Sequence, residues 1–409
     1  MADRSTFVIA GAGMAGAKAA ETLREQGFDG RIVMIGEEPD DPYERPPLSK
    51  GYLLGEAARD EARVHEPGYY EAHDIELMKE TAVARLRPDE HAIELADGST
   101  LGYDRLLLAT GAEPRRLRLD GAEAEGVRVL RTLEDSDALR SALEQGGAVA
   151  VIGGGWIGCE VAAAARHHGA DVTLLEAAPT LLYGVLGPEL GDFFASVHQS
   201  HDVRVVTDAK VEALDADGGR VSAVRLAGGE RIECGLVVCG VGVAPRTALA
   251  EAAGLEVDDG IVVDELLRTS APDVFAAGDV ASSLRPRYGR HIRVEHWANA
   301  LEQGPAAARA MLGGTDPFDE LPYFFTDQYD VGMEYVGLHQ PNDRVIVRRK
   351  GDENQLLALW VGADGRVSAG MHVNDWDAIE PLKGLVGQSV DADRLADESV
   401  PLAELSSQA

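Results

Sequence analysis

Short apolar runs, glycine turns and small-residue helical stretches follow one another along this chain in a fixed order. Between Ala148 and Pro179 the sequence reads AVAVIGGGWIGCEVAAAARHHGADVTLLEAAP. Val149 to Ile152 is a short continuous apolar run of the kind that forms a buried strand. Gly153, Gly155 and Gly158 follow, then an Ala-rich helical stretch, then a second apolar run from Val172 to Leu175 that ends in Glu176. The chain opens on the same order. STFVIAGAGMAG (residues 5–16) is an apolar strand followed by Gly11, Gly13 and Gly16, and a helical stretch from Ala17 to Gln26 leads to a strand from Arg31 to Ile35, close to Glu37. The pattern predicts strand, tight turn, helix, strand and acid, twice over.

A second repeat supports the first. HAIELADGSTLGYDRLLLATGAEPR, from His91, aligns without gaps to SAVRLAGGERIECGLVVCGVGVAPR, from Ser222. Leu95 matches Leu226, Gly98 matches Gly229, Gly111 matches Gly242, and Pro114-Arg115 matches Pro245-Arg246. Each copy reads as a hairpin turning at Asp97-Gly98 or Gly228-Gly229, then a buried strand, then a Gly-containing turn and Pro. SAPDVFAAGDVAS, from Ser270, reads as a short strand ending at Gly278-Asp279, with Asp279 expected just before a helix. A helical stretch follows over Ala298 to Leu312. After Asp316 the chain turns aromatic and alternating (YFFTDQYDVGMEYVGLH), continues as a β-hairpin pattern and ends in a helical tail, Asp375 to Leu385. The expected division is residues 1–112 with 244–317, residues 113–243, and an α+β domain over 318–409.

Length and composition fit this reading. With 409 residues the chain is too long for one ordinary core. Hydrophobic content of 45% and charged content of 26% are those of a globular protein, and no apolar run approaches a membrane span. The N-terminus passes directly into a strand pattern, no signal peptide is read there, and a cytoplasmic setting is expected. The net charge of −32 disfavours nucleic acid and anionic membranes as partners. Cys159, Cys234 and Cys239 form no CxxC pair, which argues against a dithiol redox centre.

The glycine triplets carry chemistry because of their frame. In a strand–turn–helix, the first glycine permits the tight turn, the second lets a pyrophosphate approach the backbone, and the third lets helix and strand pack closely. The helix N-terminus faces the phosphate charge. Glu176 and Glu37 are placed to accept ribose hydroxyls. At Glu176 a 2′-phosphate would be repelled, which favours NADH over NADPH. Two such sites in one chain imply two dinucleotides.

On GAGMAG, YERPPLSKGYL (Tyr43 to Leu53), LLLATGAEPR, LRTLEDSDAL (Leu130 to Leu139), GGGWIGCE, VFAAGDVA, EHWANALEQG (Glu295 to Gly304) and FFTDQYD (Phe324 to Asp330), the chain resembles the FAD-dependent NAD(P)H–ferredoxin and rubredoxin reductases. These are the putidaredoxin reductase-like members of the glutathione-reductase-like flavoproteins. The resemblance implies an α/β fold of two Rossmann-like dinucleotide-binding domains with the C-terminal α+β domain, and FAD and NADH as cofactors. It implies that Gly11, Gly13, Gly16 and Glu37 hold the adenosine and pyrophosphate of FAD, that Arg45 and Arg131 meet its phosphates, and that Asp279 binds its ribityl or pyrophosphate region. It places Lys50 near flavin N5 and O4, ion-paired to Glu160, and makes these two the catalytic residues. Trp297 would lie at the pyrimidine end of the flavin. Gly242 and Glu295 would help place the nicotinamide, while Gly153, Gly155, Gly158 and Glu176 hold NADH. Val83, Trp156 and Ile157 join the expected cofactor contacts.

The implied reaction is hydride transfer from nicotinamide to flavin, then electron transfer to a ferredoxin that supplies an oxygenase. A rubredoxin reductase, an NADH oxidase, or a redox-sensing flavoprotein like apoptosis-inducing factor are the alternatives. Disulfide chemistry is disfavoured because Tyr43 to Lys50 holds no cysteine. Arg285, Arg287, Arg290 and Arg293, in a stretch with no acid among them, are the expected ferredoxin docking patch; Arg344, Arg348, Arg349 and Lys350 form a second basic cluster. Three departures stand out: Phe325 where the family usually has Trp, Gly184 where relatives commonly have Arg, and a bulky Trp156. Trp156 either gates the flavin face or packs between domains.

Overall fold

The structure, a computed structural model, describes residues 5–349 and 354–405. They form two compact units. The first takes the chain up to Pro39, Gly68–Thr110 and everything from Thr247; the second takes Asp40–Pro67 and Gly111–Arg246. The segment carrying Arg45 and Lys50 therefore packs with the strands and helices of the second unit.

The first unit is built on a five-stranded parallel sheet. Its order is Val274–Ala276, Arg105–Leu108, Thr6–Ala10, Arg31–Ile35 and Ile75–Met78. Apart from the edge strand Ile75–Met78, which carries the exposed Glu76, these strands read as largely apolar runs, as expected where a parallel sheet is covered on both faces. Leu106, Leu107 and Leu108 are all fully buried, worth about 2 kcal/mol each by the area they remove from water. The helix Met14–Glu25 turns its alanines to the core and packs against the helix Trp297–Met311.

The second unit repeats the plan. Its sheet runs Arg204–Val206, Asp171–Leu175, Ala148–Ile152, Leu236–Cys239 and Val127–Arg128, again all parallel. The hairpin repeat read from the sequence is matched strand by strand. Ala92–Leu95 pairs with Thr100–Gly102 in the register Ile93↔Leu101, and Arg220–Leu226 pairs with Arg231–Glu233 in the register Val224↔Ile232. Each hairpin then leads into a buried strand, Arg105–Leu108 or Leu236–Cys239. The helix Leu133–Leu143 starts on a capping box: Thr132 accepts from the Asp135 N–H at 3.1 Å and the Asp135 carboxylate accepts from the Thr132 N–H at 3.0 Å.

Two expectations are corrected. Asp279 precedes a strand rather than a helix, because Ala281–Arg285 pairs in parallel with Ile261–Val263 and antiparallel with Arg290–Arg293. Pro286–Tyr288 closes that hairpin, so the arginine-rich stretch is sheet. The C-terminal residues of the first unit form a five-stranded antiparallel sheet, ordered Tyr323–Gln328, Val331–Gly337, Val367–Val373, Leu356–Val361 and Arg344–Arg349. The helix expected from Asp375 begins at Ile379, after the turn at Asn374, whose φ is 52°. Leu382 and Leu385 bury its inner face.

Candidate active site

The two glycine turns are the same structure made twice. In the first unit Gly11 has φ 124°, and a Cβ there would lie 2.0 Å from the Ala109 carbonyl oxygen. In the second unit Gly153 has φ 106°, and its Cβ would lie 2.3 Å from the Gly240 carbonyl oxygen. The third glycine of each triplet is pressed on the first: a Cβ on Gly16 would meet the Gly11 carbonyl oxygen at 2.1 Å, and one on Gly158 the Gly153 carbonyl oxygen at 1.8 Å. The middle glycines, Gly13 and Gly155, have open space beside them. They are also the N-caps of the helices Met14–Glu25 and Trp156–His167, so the positive end of each helix dipole faces that space. Each is a cradle with room for a phosphate against bare backbone.

The acid after each cradle differs in its surroundings. Glu37 is exposed. Glu176 is half-buried, and its two oxygens accept the Gly154 N–H at 2.6 Å and the Ala178 N–H at 2.7 Å. Ionised carboxylate oxygens offer about four acceptor positions, so places for ribose hydroxyls remain. Ile157, just inside the second helix, is 43% exposed although apolar. Trp156 is half-buried and meets Phe194 edge-on, with ring centroids 5.9 Å apart. Gly184 lies in the exposed turn of helix Tyr183–Leu186 and places no cation there.

In the second unit, Lys50 and Glu160 form an ion pair, Nζ to Oε1 at 2.7 Å, with the Glu160 side chain only 3% exposed. The Ser49 hydroxyl donates to Glu160 Oε2. Pro46 and Pro47 open the 3-10 turn that presents these residues, and Ser136 donates to the Leu48 carbonyl at 2.9 Å. Arg45 donates to the Tyr43 hydroxyl at 3.0 Å and to the Arg131 carbonyl, which ties Arg45 to the backbone of the other predicted phosphate cation. Gly242 has φ 90° and its carbonyl accepts the Arg115 N–H at 2.9 Å.

In the first unit, Gly278 donates to Gln303 at 2.8 Å, which holds the turn carrying Asp279. Val83 opens the strand Val83–Arg87 opposite Leu95. Trp297 begins its helix and meets Phe325 edge-on at 6.2 Å, so the Phe-for-Trp departure keeps an aromatic contact. Glu295 pairs with Arg293. Among the described residues, Trp297 Nε1 and His296 Nδ1 are buried with no hydrogen-bond partner. An orphaned indole donor at a helix N-terminus, beside a phosphate-sized cradle in the same unit, fits a large ligand rich in acceptors, as FAD is.

His296 was not singled out by the sequence. Burial pushes its pKa down from 6.5 to about 4, against an opposing pull from Asp279. The folded state thus resists binding a proton that the unfolded chain takes up near 6.5. The resulting stability is full above 6.5 and falls as pH drops towards 4. We expect the unfolding temperature of His296→Gln to be less pH-dependent than wild type across this window. Parallel curves would remove His296 from the acid response.

The docking arginines divide. Arg285 is 1% exposed and bonded inside the first unit, and Arg293 is held by Asp259 and Glu295. Neither is at the surface to meet a partner, against the expectation: Arg285 is bonded to Ser283, Asn299 and the Glu320 carbonyl, and Arg293 is tied to two acids. Arg287 and Arg290 are exposed. In the second basic cluster Arg348 is also buried, donating to the Asp397 and Val400 carbonyls; Lys350 lies outside the described residues. The three cysteines are free and buried. Burial raises the Cys234 and Cys239 thiols to about 11 and the Cys159 thiol further, so none is a ready thiolate.

Two phosphate-sized cradles on helix N-termini suit a protein that binds dinucleotides, and its relatives make it an oxidoreductase. The chain belongs to the pyridine nucleotide-disulphide oxidoreductases, whose family model matches residues 5–304, and a reductase C-terminal domain matches residues 323–406. It is 39% identical over 406 residues to the putidaredoxin reductase of Pseudomonas putida, covering 97% of this chain and 96% of that one. It is 38% identical over 401 residues to the ferredoxin–NAD(+) reductase component of the anthranilate 1,2-dioxygenase system of Burkholderia cepacia, covering 97% and 98%. Its fold superposes on the crystal structure of the covalent putidaredoxin reductase–putidaredoxin complex with a TM-score of 0.93, at 37% identity and 98% coverage of both chains.

Proposed function

We propose that this chain transfers electrons from NADH, through bound FAD, to a small iron–sulfur protein that supplies an oxygenase. The duplicated cradle carries the reading, because one chain with two such turns is built for two dinucleotides. Bound FAD supplies the chemistry, taking a hydride from NADH and passing the electrons on one at a time. The protein's part is to bind, orient and set charge. Gly11, Gly13, Gly16, Glu37, Val83 and Asp279 hold FAD, with Arg45 and Arg131 against its pyrophosphate. Trp297 offers its orphaned indole N–H to the flavin. Gly153, Gly155, Gly158, Ile157 and Glu176 hold NADH, and Gly242 and Glu295 place the nicotinamide. Lys50, set by Glu160, places a cation where negative charge develops on reduction. Trp156 bears on the nicotinamide side. The division into FAD-binding (1–112 and 244–317), NADH-binding (113–243) and C-terminal (318–409) domains belongs to the same proposal.

The partner is an acidic ferredoxin, and the docking patch reduces to Arg287 and Arg290. These exposed cations answer an acidic partner despite the net charge of −32. Charge reversal at both is expected to raise the ferredoxin KM at least about tenfold and leave NADH–ferricyanide turnover as it was. Unchanged ferredoxin kinetics would discard the patch. The cytoplasm is the proposed compartment, since three unpaired thiols suit a reducing setting. The reading as a whole is tested by stopped-flow reduction of the purified protein with NADH and NADPH, followed by mixing with an iron–sulfur protein. Absence of flavin, or reduced flavin that passes nothing on, would defeat it.

A further inference from the structure

We propose that Ser49 is a positioning residue: its hydrogen bond to Glu160 sets how much of the Lys50 charge is left to act on the cofactor. The inference rests on the function proposed above.

Glu160 sits on the helix Trp156–His167 and is 3% exposed. It is gripped at both oxygens by two consecutive residues. Lys50 Nζ takes Oε1 at 2.7 Å, and the Ser49 hydroxyl takes Oε2. The 3-10 turn Pro46–Ser49 ends here, and Lys50 leaves it at φ −121° and ψ −126°, so neighbouring side chains converge on one carboxylate. Ser49 has a second acceptor within reach, the Pro46 carbonyl at 3.5 Å. One hydroxyl proton cannot serve both well. The carboxylate is charged and closer, and a charge-assisted bond is about twice as strong as a neutral one, so the proton goes to Glu160.

The electrostatic consequence comes from burial. Where water is scarce, the negative charge of Glu160 cancels part of the Lys50 field, and cancels less of it when a second donor draws on that charge. With the Ser49 hydroxyl in place, Lys50 presents more net positive potential. Without it, Glu160 turns more of its charge on Lys50 and loses the hold of one of these two donors. Ser49 is 4% exposed, so water does not take over the vacated position.

The test is the two-electron reduction potential of the bound flavin, titrated spectroscopically on the holoprotein against a reference dye. Ser49→Ala is expected to lower the equilibrium constant for flavin reduction about three- to tenfold, where tenfold is about 30 mV for a two-electron couple. Ser49→Cys keeps the shape with a poor donor and should fall alongside Ala. Ser49→Thr keeps the hydroxyl and should return to the wild-type potential. Unfolding temperatures of all three report whether the fold has changed. Lys50→Met should lower the potential further than any of them. If Lys50→Met leaves it unmoved, the placement of Lys50 at the flavin fails and the role of Ser49 with it, while the function, which rests on the two cradles, is judged by the stopped-flow test. If Lys50→Met shifts it and Ser49→Ala does not, or if Thr falls as far as Ala, the role of Ser49 is overturned and the function stands.

Discussion

Gly153→Ala is expected to abolish reduction by NADH in a protein that stays yellow, whereas Gly11→Ala is expected to purify without flavin. The two substitutions are sterically equivalent. Each places a methyl group on backbone, 2.3 Å from the Gly240 oxygen or 2.0 Å from the Ala109 oxygen, and each forces alanine to a φ above 100°. A carbonyl that is part of a sheet's end cannot step aside as a flexible side-chain tip would. The cost is at least about 2–4 kcal/mol at each site, enough to open the turn by several tenths of an ångström. What differs is the ligand that depends on the turn. On the proposed assignment, the cradle lost in the first unit is that of the resident cofactor. A cofactor present at a thousand times its dissociation constant contributes about 4 kcal/mol to stability, so Gly11→Ala should also lower the unfolding temperature strongly. On the same assignment, the second unit's cradle is that of a substrate that comes and goes, so stability should fall only by the strain. The ratio of flavin to protein absorbance and the rate of bleaching by NADH read the two outcomes directly. Flavin loss from Gly153→Ala, with Gly11→Ala unaffected, would exchange the assignments of the two cradles.

Most of that symmetry is legible in the residues alone, and the reason is physical. The βαβ turns and the hairpins are local: a few adjacent residues with fixed periodicity decide them, and the repeat from His91 to Arg115 recurs in Ser222 to Arg246 with the same strands. The Lys50–Glu160 pair spans 110 positions and was expected only through the family resemblance. Ser49 lay in the same motif, yet nothing in the pattern says which way a serine before a lysine turns. Asp279 misled because Gly-Asp ahead of small residues resembles a helix start; pairing with Ile261–Val263 and Arg290–Arg293 makes Ala281–Arg285 a strand instead. Arg285 misled most. Long cations in a Pro- and Gly-containing stretch read as a solvated surface, and burial of one among polar partners from Asn299 and Glu320 is a tertiary fact that no local spacing records.

That burial has a measurable cost in both directions, and Arg285→Leu is expected to destabilise the first unit by about 3 kcal/mol. Arg285 donates from Nε to the Ser283 hydroxyl at 2.9 Å, from one terminal nitrogen to the Glu320 carbonyl at 2.9 Å and from the other to Asn299 Oδ1 at 2.6 Å, with its guanidinium 4.1 Å from the centre of the Phe318 ring. Removing it strands the Glu320 carbonyl and Asn299 Oδ1, at about 1–3 kcal/mol each, takes one donor from Ser283, and loses the cation–π contact. Against this stands relief of a desolvated cation. Burial lowers the Arg285 pKa from 12.5 to about 10, a penalty of about 3 kcal/mol. The stranded acceptors and the lost ring contact outweigh it. Because a lowered basic pKa penalises the charged form, the whole penalty is present below about pH 10 and lifts only as pH rises from there towards 12.5, so the effect should be flat from pH 6 to 9. Ser283 also accepts from Gln303 Nε2 at 3.1 Å, and Gln303 accepts the Gly278 N–H at 2.8 Å, which carries the disturbance to the turn that bears Asp279. Hydrogen exchange at the Gly278 amide should therefore speed up about a hundredfold in Arg285→Leu, and recover only in part in Arg285→Lys, whose single ammonium cannot match three acceptors set for a planar fork. Wild-type protection of Gly278 in a destabilised Arg285→Leu protein would confine the role of Arg285 to its hairpin and disconnect it from the cofactor turn.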